Sequence, residues 1–318
     1  MSVQETTQKT EQNSVKGIVL AITGACMWGI MGIFVRGLSA VGYSSYDIAF
    51  LRCILAGVVF FIVKAVTNPK VLKINFKGIV ICLFYGVCAY VMGFVCYGIS
   101  VERIPVAVAT VLMFMSPIWV AILGVLVFHE KLTKQTVITI LICIFGAALV
   151  ANVFGASGGS MDVIGIVAGV LNGFGVALQI MVPRYFAKEY ERDTLLVYGF
   201  LGAALGLSFV TDFHTIAISL KSSEMVSVLI NIIGLGILCT MVANVAVVKA
   251  TEYINTTTCS ILSSLEVVVG AIVGILIFHE SMNVLQVIGA IVVVCASLGP
   301  TVFKPRKKST EGTRKQVA

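Results

Sequence analysis

The chain has 318 residues, 58% of them apolar and only 12% charged, and its mean hydropathy is +1.04. Soluble domains carry about a quarter of their residues as charges, so this composition excludes a disordered chain, a secreted disulfide scaffold and an ordinary cytosolic enzyme. A polytopic membrane protein remains, to be tested by counting apolar runs.

Met1 to Lys16 is polar and does not read as a signal peptide, which would be basic and then apolar. Ten apolar runs follow, each near the roughly 17–25 residues that a crossing helix needs. They are 17–38, which carries Trp28; 46–66, with Arg52; 78–100, with Tyr90 and Tyr97; 105–127, with Ser116 and Pro117; 136–153; 163–183, with Gln179; 194–210; 229–250, with Asn244; 256–278, with Glu266; and 284–303. The fifth and seventh are the shortest. No loop is long enough to fold alone, so the chain reads as one membrane domain. A β-barrel is excluded, because its strands would be about 10 residues of alternating polarity. Residues 304–318 form a basic polar tail.

Lys and Arg counts set the orientation. With the N-terminus inside, inner segments hold 18 of the 22 basic residues, outer segments hold three, and Arg52 lies within a span. Both termini are therefore expected in the cytoplasm. The net charge of +7 is accounted for by topology, and no nucleic-acid partner is implied. The nine cysteines all lie in apolar runs without a CxxC spacing, so neither a disulfide framework nor a zinc site is expected.

The chain repeats itself. Ala121-Ile-Leu-Gly-Val-Leu-Val-Phe-His-Glu130 aligns without gaps to Ala271-Ile-Val-Gly-Ile-Leu-Ile-Phe-His-Glu280, with seven of ten positions identical at an offset of 150. Two halves of five spans each follow, 17–153 and 161–303. Five is odd, so the second half inserts upside down relative to the first. Inverted repeats are the architecture of secondary transporters, with sites near the bilayer midplane.

On these residues the sequence resembles the drug/metabolite transporter superfamily, in its ten-span EamA-type branch. Phe50-Leu-Arg-Cys-Ile-Leu-Ala56 is similar to a second-span motif of that family. Ser116-Pro117 followed by Phe128-His-Glu-Lys-Leu-Thr133, and Leu265-Glu266-Val267 through Gly274 to Glu280, are similar to two more. The resemblance covers roughly residues 17–303. Val267 stands where the family usually has Pro, which leaves open whether the ninth helix is broken as in many members. The resemblance implies small organic metabolites as substrates, amino acids or related compounds among them, with export as the commoner direction.

Few polar groups lie inside the spans, and these are the site candidates. Glu266 sits mid-run and is expected to face the bundle interior, as a protonation switch or a counter-charge to a substrate amine. Arg52 lies six residues after Tyr46, about 9 Å into the membrane. It could clamp a carboxylate, snorkel outward, or pair with an acid such as Glu266. The repeat offset maps Ser116 onto Glu266, and Pro117 frees a carbonyl one turn back as a kink or hinge. Trp28, Tyr90, Tyr97, Gln179 and Asn244 are further candidates for substrate contact, or for bonds between helices. Asp47, near the outer boundary, reads as solvated. His129, Glu130, His279 and Glu280 read as helix-end groups. Gly155-Ala156-Ser157-Gly158 imitates the GxSG of intramembrane proteases, but no His lies in a span to activate its Ser.

The expectation is an all-α secondary transporter in the cytoplasmic membrane, working by alternating access, with the proton as candidate coupling ion. There is no P-loop, and no cofactor, metal or enzymatic activity is expected. A non-transporting scaffold or accessory subunit, and a lipid-linked carrier or flippase, are the alternatives. Oligomeric state is not legible.

Overall fold

A computed structural model describes residues 3–104, 106–153, 162–221 and 224–302. The Gly155–Gly158 stretch and the basic tail 304–318 lie outside the described residues. Among the described residues the regular structure is helical, with no strand.

In chain order the helices are α1 (Val3–Gly29), α2 (Met31–Ala40), α3 (Ser45–Thr67), α4 (Phe76–Tyr85), α5 (Met92–Arg103), α6 (Val106–Met113), α7 (Ser116–Phe128), α8 (Lys134–Val150) and α9 (Val163–Tyr185). They continue with α10 (Arg192–Leu207), α11 (Phe213–Ser219), α12 (Met225–Ile233), α13 (Ala243–Ala250), α14 (Thr256–Ser263), α15 (Leu265–Phe278) and α16 (Val284–Val302). Wider π-helical turns, Gly86–Val91 and Gly234–Val242, join α4 to α5 and α12 to α13. Seven stretches are long and apolar enough to cross a membrane, and they match the first, second, third, fourth, sixth, eighth and ninth expected runs. The other three expected runs are shorter helices: α8, the Val284–Leu298 part of α16, and α10 with 16 residues. At 1.5 Å per residue a helix of that length spans about 24 Å, less than the roughly 30 Å hydrocarbon core.

The packing follows the repeat. α1 lies on α13, and α5, from the first half, lies on α9 from the second. α1 also packs on α15, as α7 packs on α9. The self-paired contacts are α3 with α10 and α8 with α16. Each helix thus meets a partner from the other half, and exchanging the halves exchanges the contacts. Close crossings use glycine. A Cβ on Gly289 would stand 2.7 Å from the Gly146 carbonyl, and one on Gly146 would stand 3.1 Å from that of Gly289. The Gly165, Gly169 and Gly173 stripe packs inward in the same way, against Ile104, Leu112 and the Leu112 carbonyl. The outer surface is apolar, with Leu126, Phe145, Val163, Phe209 and Leu276 all more than half exposed, as a lipid-facing belt requires.

Several spans are interrupted. The fourth run breaks at Phe114–Met115, just before Pro117. Met115 N donates to the Leu112 carbonyl and Ile118 N to the Met115 carbonyl, two consecutive tight turns. The ninth run breaks at the equivalent place, Ser264, although Val267 replaces proline. There the Ser263 hydroxyl donates to the Cys259 carbonyl at 3.0 Å. Such back-bonding to the preceding turn bends helices. The first run has a similar break at Ile30.

Two expectations change. The helix of the first run starts at Val3 instead of Gly17. Asp47, expected in solvent, is 2% exposed. Its carboxylate caps α3, accepting from Ser44 N at 3.0 Å and Ser44 Oγ at 2.6 Å, and it also accepts from Asp212 N at 2.7 Å. An N-cap partner and a backbone donor from the second half thus replace water. At the same boundary Arg103 donates to Asp162 at 2.9 Å, joining α5 to the start of α9 and holding that carboxyl below its usual range.

The first π-helical turn lies close against the backbone of α10. A Cβ on Gly86 would stand 2.5 Å from the Gly199 carbonyl and 2.6 Å from Ala203 N. Both are backbone atoms and cannot rotate away. Gly86→Ala is expected to destabilise the protein by about 1–3 kcal/mol through overpacking. Melting of the purified protein in detergent checks this.

Candidate functional site

The interruptions surround one region. Glu266 lies in the first turn of α15, just after the Ser264 break, and Ser116 opens α7, just after the Met115 break. Both line an inner cavity of about 80 Å³, together with Trp28, Arg52, Gln179 and Asn244. Six of the eight candidate contact residues therefore converge from helices that are distant in sequence. Pro117, beside the cavity, is buried at the start of α7.

Arg52 is buried, 8% exposed. Its Nε donates to Thr240 Oγ1 at 2.8 Å, and one terminal nitrogen reaches Met31 Sδ at 3.1 Å. Its guanidinium lies 4.6 Å from the centre of the Phe94 ring. Thioether sulfur is a weak acceptor, and a guanidinium has five N–H donors. Arg52 is thus oriented by protein groups and only partly satisfied by them. No ion pair joins it to Glu266 among the described residues. A basic and an acidic side chain line the same space without a direct ion pair.

Behind the cavity runs a buried polar chain. Tyr90 Oη donates to Asn244 Oδ1 at 3.1 Å, and Asn244 Nδ2 donates to the Thr240 carbonyl at 2.8 Å. Tyr85 Oη donates to the Gln179 carbonyl at 3.1 Å and lies 3.1 Å from Tyr90 Oη. Two hydroxyl protons serve three contacts, so the protons have alternative placements. Tyr90 is fully buried and lines neither cavity; its place is to hold Asn244. Gln179 Nε2 donates to the Ala89 carbonyl at 3.2 Å, and Asn172 Nδ2 to that of Gly93 at 2.7 Å. These amides serve carbonyls in and just after the π-helical turn.

A second space of about 420 Å³ continues from the first and shares Trp28, Met31, Met113, Phe114 and Glu266 with it. Tyr97 lines this vestibule, not the inner cavity, and Arg36 and Glu280 stand at its far end. Glu266 therefore sits where the two spaces meet.

The sequence pattern missed Met31, Phe94, Met113 and Phe114, which are apolar residues in apolar helices and carry no signal. Ser260, Ser263 and Ser264 were findable, as a polar cluster in the ninth run leading to Glu266. Among the described residues no group of three His, Cys, Asp or Glu stands together to hold a metal.

The model of the EamA-like transporter family matches residues 15–152 and again 163–300. The chain belongs to this family. It is a multi-pass membrane transporter with two EamA repeats, and its partners are the bilayer and a small-molecule substrate. An uncharacterized transporter of Archaeoglobus fulgidus is 23% identical over 285 residues, which covers 89% of this chain and 95% of the relative. The pseudopaline exporter CntI of Pseudomonas aeruginosa is 22% identical over 283 residues, 89% of this chain and 94% of that one. A solved crystal structure shares the fold with a TM-score of 0.72 at 14% identity, covering 90% of this transporter and 96% of the other chain.

The buried chain behind the cavity is testable in the transporter. Tyr90→Phe removes the donor to Asn244 and leaves a buried acceptor unpaired. The expected loss is about 1–3 kcal/mol of stability, read as a lower melting temperature in detergent.

Proposed function

We propose that the chain is a secondary transporter that exports zwitterionic, amino-acid-like metabolites across the cytoplasmic membrane by alternating access. The observation that carries this reading is the convergence of Arg52 and Glu266 on one cavity without a direct pair between them. A substrate carboxylate would meet the free N–H groups of Arg52, in the geometry guanidinium prefers. A substrate ammonium would meet Glu266. Trp28, Phe94 and Phe114 would cover the apolar part of the substrate. The helix starts at Ser116 and Leu265 add the positive ends of two dipoles, which favour an anionic group.

In this reading all ten rods cross the bilayer. The shorter α8, α10 and α16 do so in locally thinned membrane. Residues 1–16 and 304–318 are the cytoplasmic tails on either side of the two repeats. The excess of Lys and Arg in the inner segments supports that orientation, and the relative named as a pseudopaline exporter supports the direction. Glu266, at the junction of cavity and vestibule, is the proposed site of proton coupling. Arg52, Tyr97, Arg36 and Glu280 are the other ionisable groups that line the two spaces, the last two at the far end of the vestibule.

A thermal-shift screen of the purified protein against amino acids, sugars, nucleosides and organic amines tests the substrate class. Zwitterions are expected to raise the melting temperature. Arg52→Ala is expected to weaken the response about tenfold or more, the size of a lost charge-assisted bond. A response to sugars or nucleosides alone would overturn the substrate class, and no response to any compound would favour a scaffold. In proteoliposomes, Glu266→Gln is expected to flatten the pH dependence of transport. A mutant with the full wild-type pH profile would remove the proton from the mechanism.

A further inference from the structure

The duplicated Phe-His-Glu segments build the same device twice. At the end of α7, His129 takes a left-handed conformation with φ 54°, and Glu130 N donates back to the Gly124 carbonyl at 3.0 Å. At the end of α15, His279 has φ 54° and Glu280 N donates to the Gly274 carbonyl at 3.0 Å. Each Glu folds over its glycine, where an added Cβ would stand 2.7 Å from Glu130 Oε2 and 2.6 Å from Glu280 Oε2. That is why a glycine repeats in register with each Glu.

Each carboxylate then binds an arginine of the other half. Arg184 donates to Glu130 at 2.6 Å, and its guanidinium lies 4.1 Å from the Phe128 ring centre. Arg36 donates to Glu280 at 2.6 Å and lies 4.1 Å from the Phe278 ring centre. The two sites stand at opposite ends of the bundle. Arg184 also donates to Thr256 at the start of α14, whereas Phe278 ends α15. The 23 residues of that rod put about 33 Å between them.

The two sites make the same contacts but differ in exposure. Arg184 and Glu130 are 24% and 21% exposed, while Arg36 and Glu280 are 54% and 50% exposed. The vestibule from Glu266 reaches Arg36 and Glu280, and neither space is lined by Arg184 or Glu130. The position equivalent to Thr256 in the first half is Val106, which lacks a hydroxyl. Screening weakens the exposed pair more than the half-buried one.

We propose that these Arg–Glu–Phe clusters are the two gates of the transporter. The cluster at Arg184 seals its end while the cluster at Arg36 frames the open mouth, and the two exchange roles when the halves rock. The inference rests on the alternating-access reading. It adds Arg36, Phe128, Arg184 and Phe278 as gating residues and Thr256 as the source of unequal gate strength.

Thiol labelling tests it without a substrate. The nine native cysteines are replaced, and Ser263→Cys places a reporter in the inner cavity. A membrane-impermeant maleimide is applied to right-side-out and inverted vesicles. The parent is expected to label mainly from the Arg36 side. Arg184→Ala and the near-isosteric Glu130→Gln are each expected to raise labelling from the Arg184 side about fivefold or more, the effect of even a modest population shift. Arg36→Ala is expected to leave that labelling low. The exchange Arg184→Glu with Glu130→Arg is expected to restore the seal. Unchanged labelling from the Arg184 side in both single variants, with parental melting temperatures, overturns the gates. A reporter that never labels from either side overturns them too. If labelling shifts as expected but no compound is transported, the gates stand and the substrate reading fails. If transport occurs with unshifted labelling, the reverse holds.

Discussion

A backbone carbonyl freed inside a bilayer has no water to accept from and must find a donor in the protein. Much of this molecule is organised around that requirement. Its spans are broken at Ile30, Met115 and Ser264 and widened at Gly86–Val91 and Gly234–Val242. The amides of Gln179 and Asn172 on α9 supply donors to Ala89 and Gly93, while Thr240 supplies one to the Leu235 carbonyl at 2.8 Å. The groups that satisfy the irregular backbone are the same groups that hold the cavity. Thr240 orients Arg52 through its own oxygen, and Asn244 is fixed between Tyr90 and the Thr240 carbonyl. Irregular backbone and candidate site are therefore one structure.

Duplication explains why this arrangement is available twice. Each half alone would expose helix faces that the other half covers, since α1 needs α13, α5 needs α9, and α8 needs α16. The exchange of partners brings the breaks before α7 and α15 to one cavity. The Glu that terminates each of these helices meets an Arg of the opposite half. Equivalent contacts thus stand at both ends, with small differences between them such as Thr256 against Val106.

Residue by residue, much of the candidate site was legible. Glu266, Arg52, Ser116, Trp28, Gln179 and Asn244 stood out because polar or aromatic groups are scarce in such runs, and all six line the inner cavity. Tyr97 was legible as polar but not as a vestibule residue. Tyr90 was legible too, though its pairing with Asn244, 154 positions away, was not. Asp47 misled, because its neighbour Asp212 in space is 165 positions distant. The ninth-span break was hidden, because a serine hydroxyl produces it where the eye looks for proline.

The sequence by itself determined that the chain lives in a membrane, that it contains a duplication, and which few polar groups its apolar spans carry. These follow from composition and register, which are properties of the chain in one dimension. Only the tertiary structure decided which of those groups share a space and that Arg52 is held by Thr240 and Met31 instead of Glu266. It also decided that the repeated Glu residues reach across to Arg36 and Arg184. The physical reason is that each of these outcomes depends on contacts between halves. Helices that look alike in sequence are distinguished there only by what packs against them.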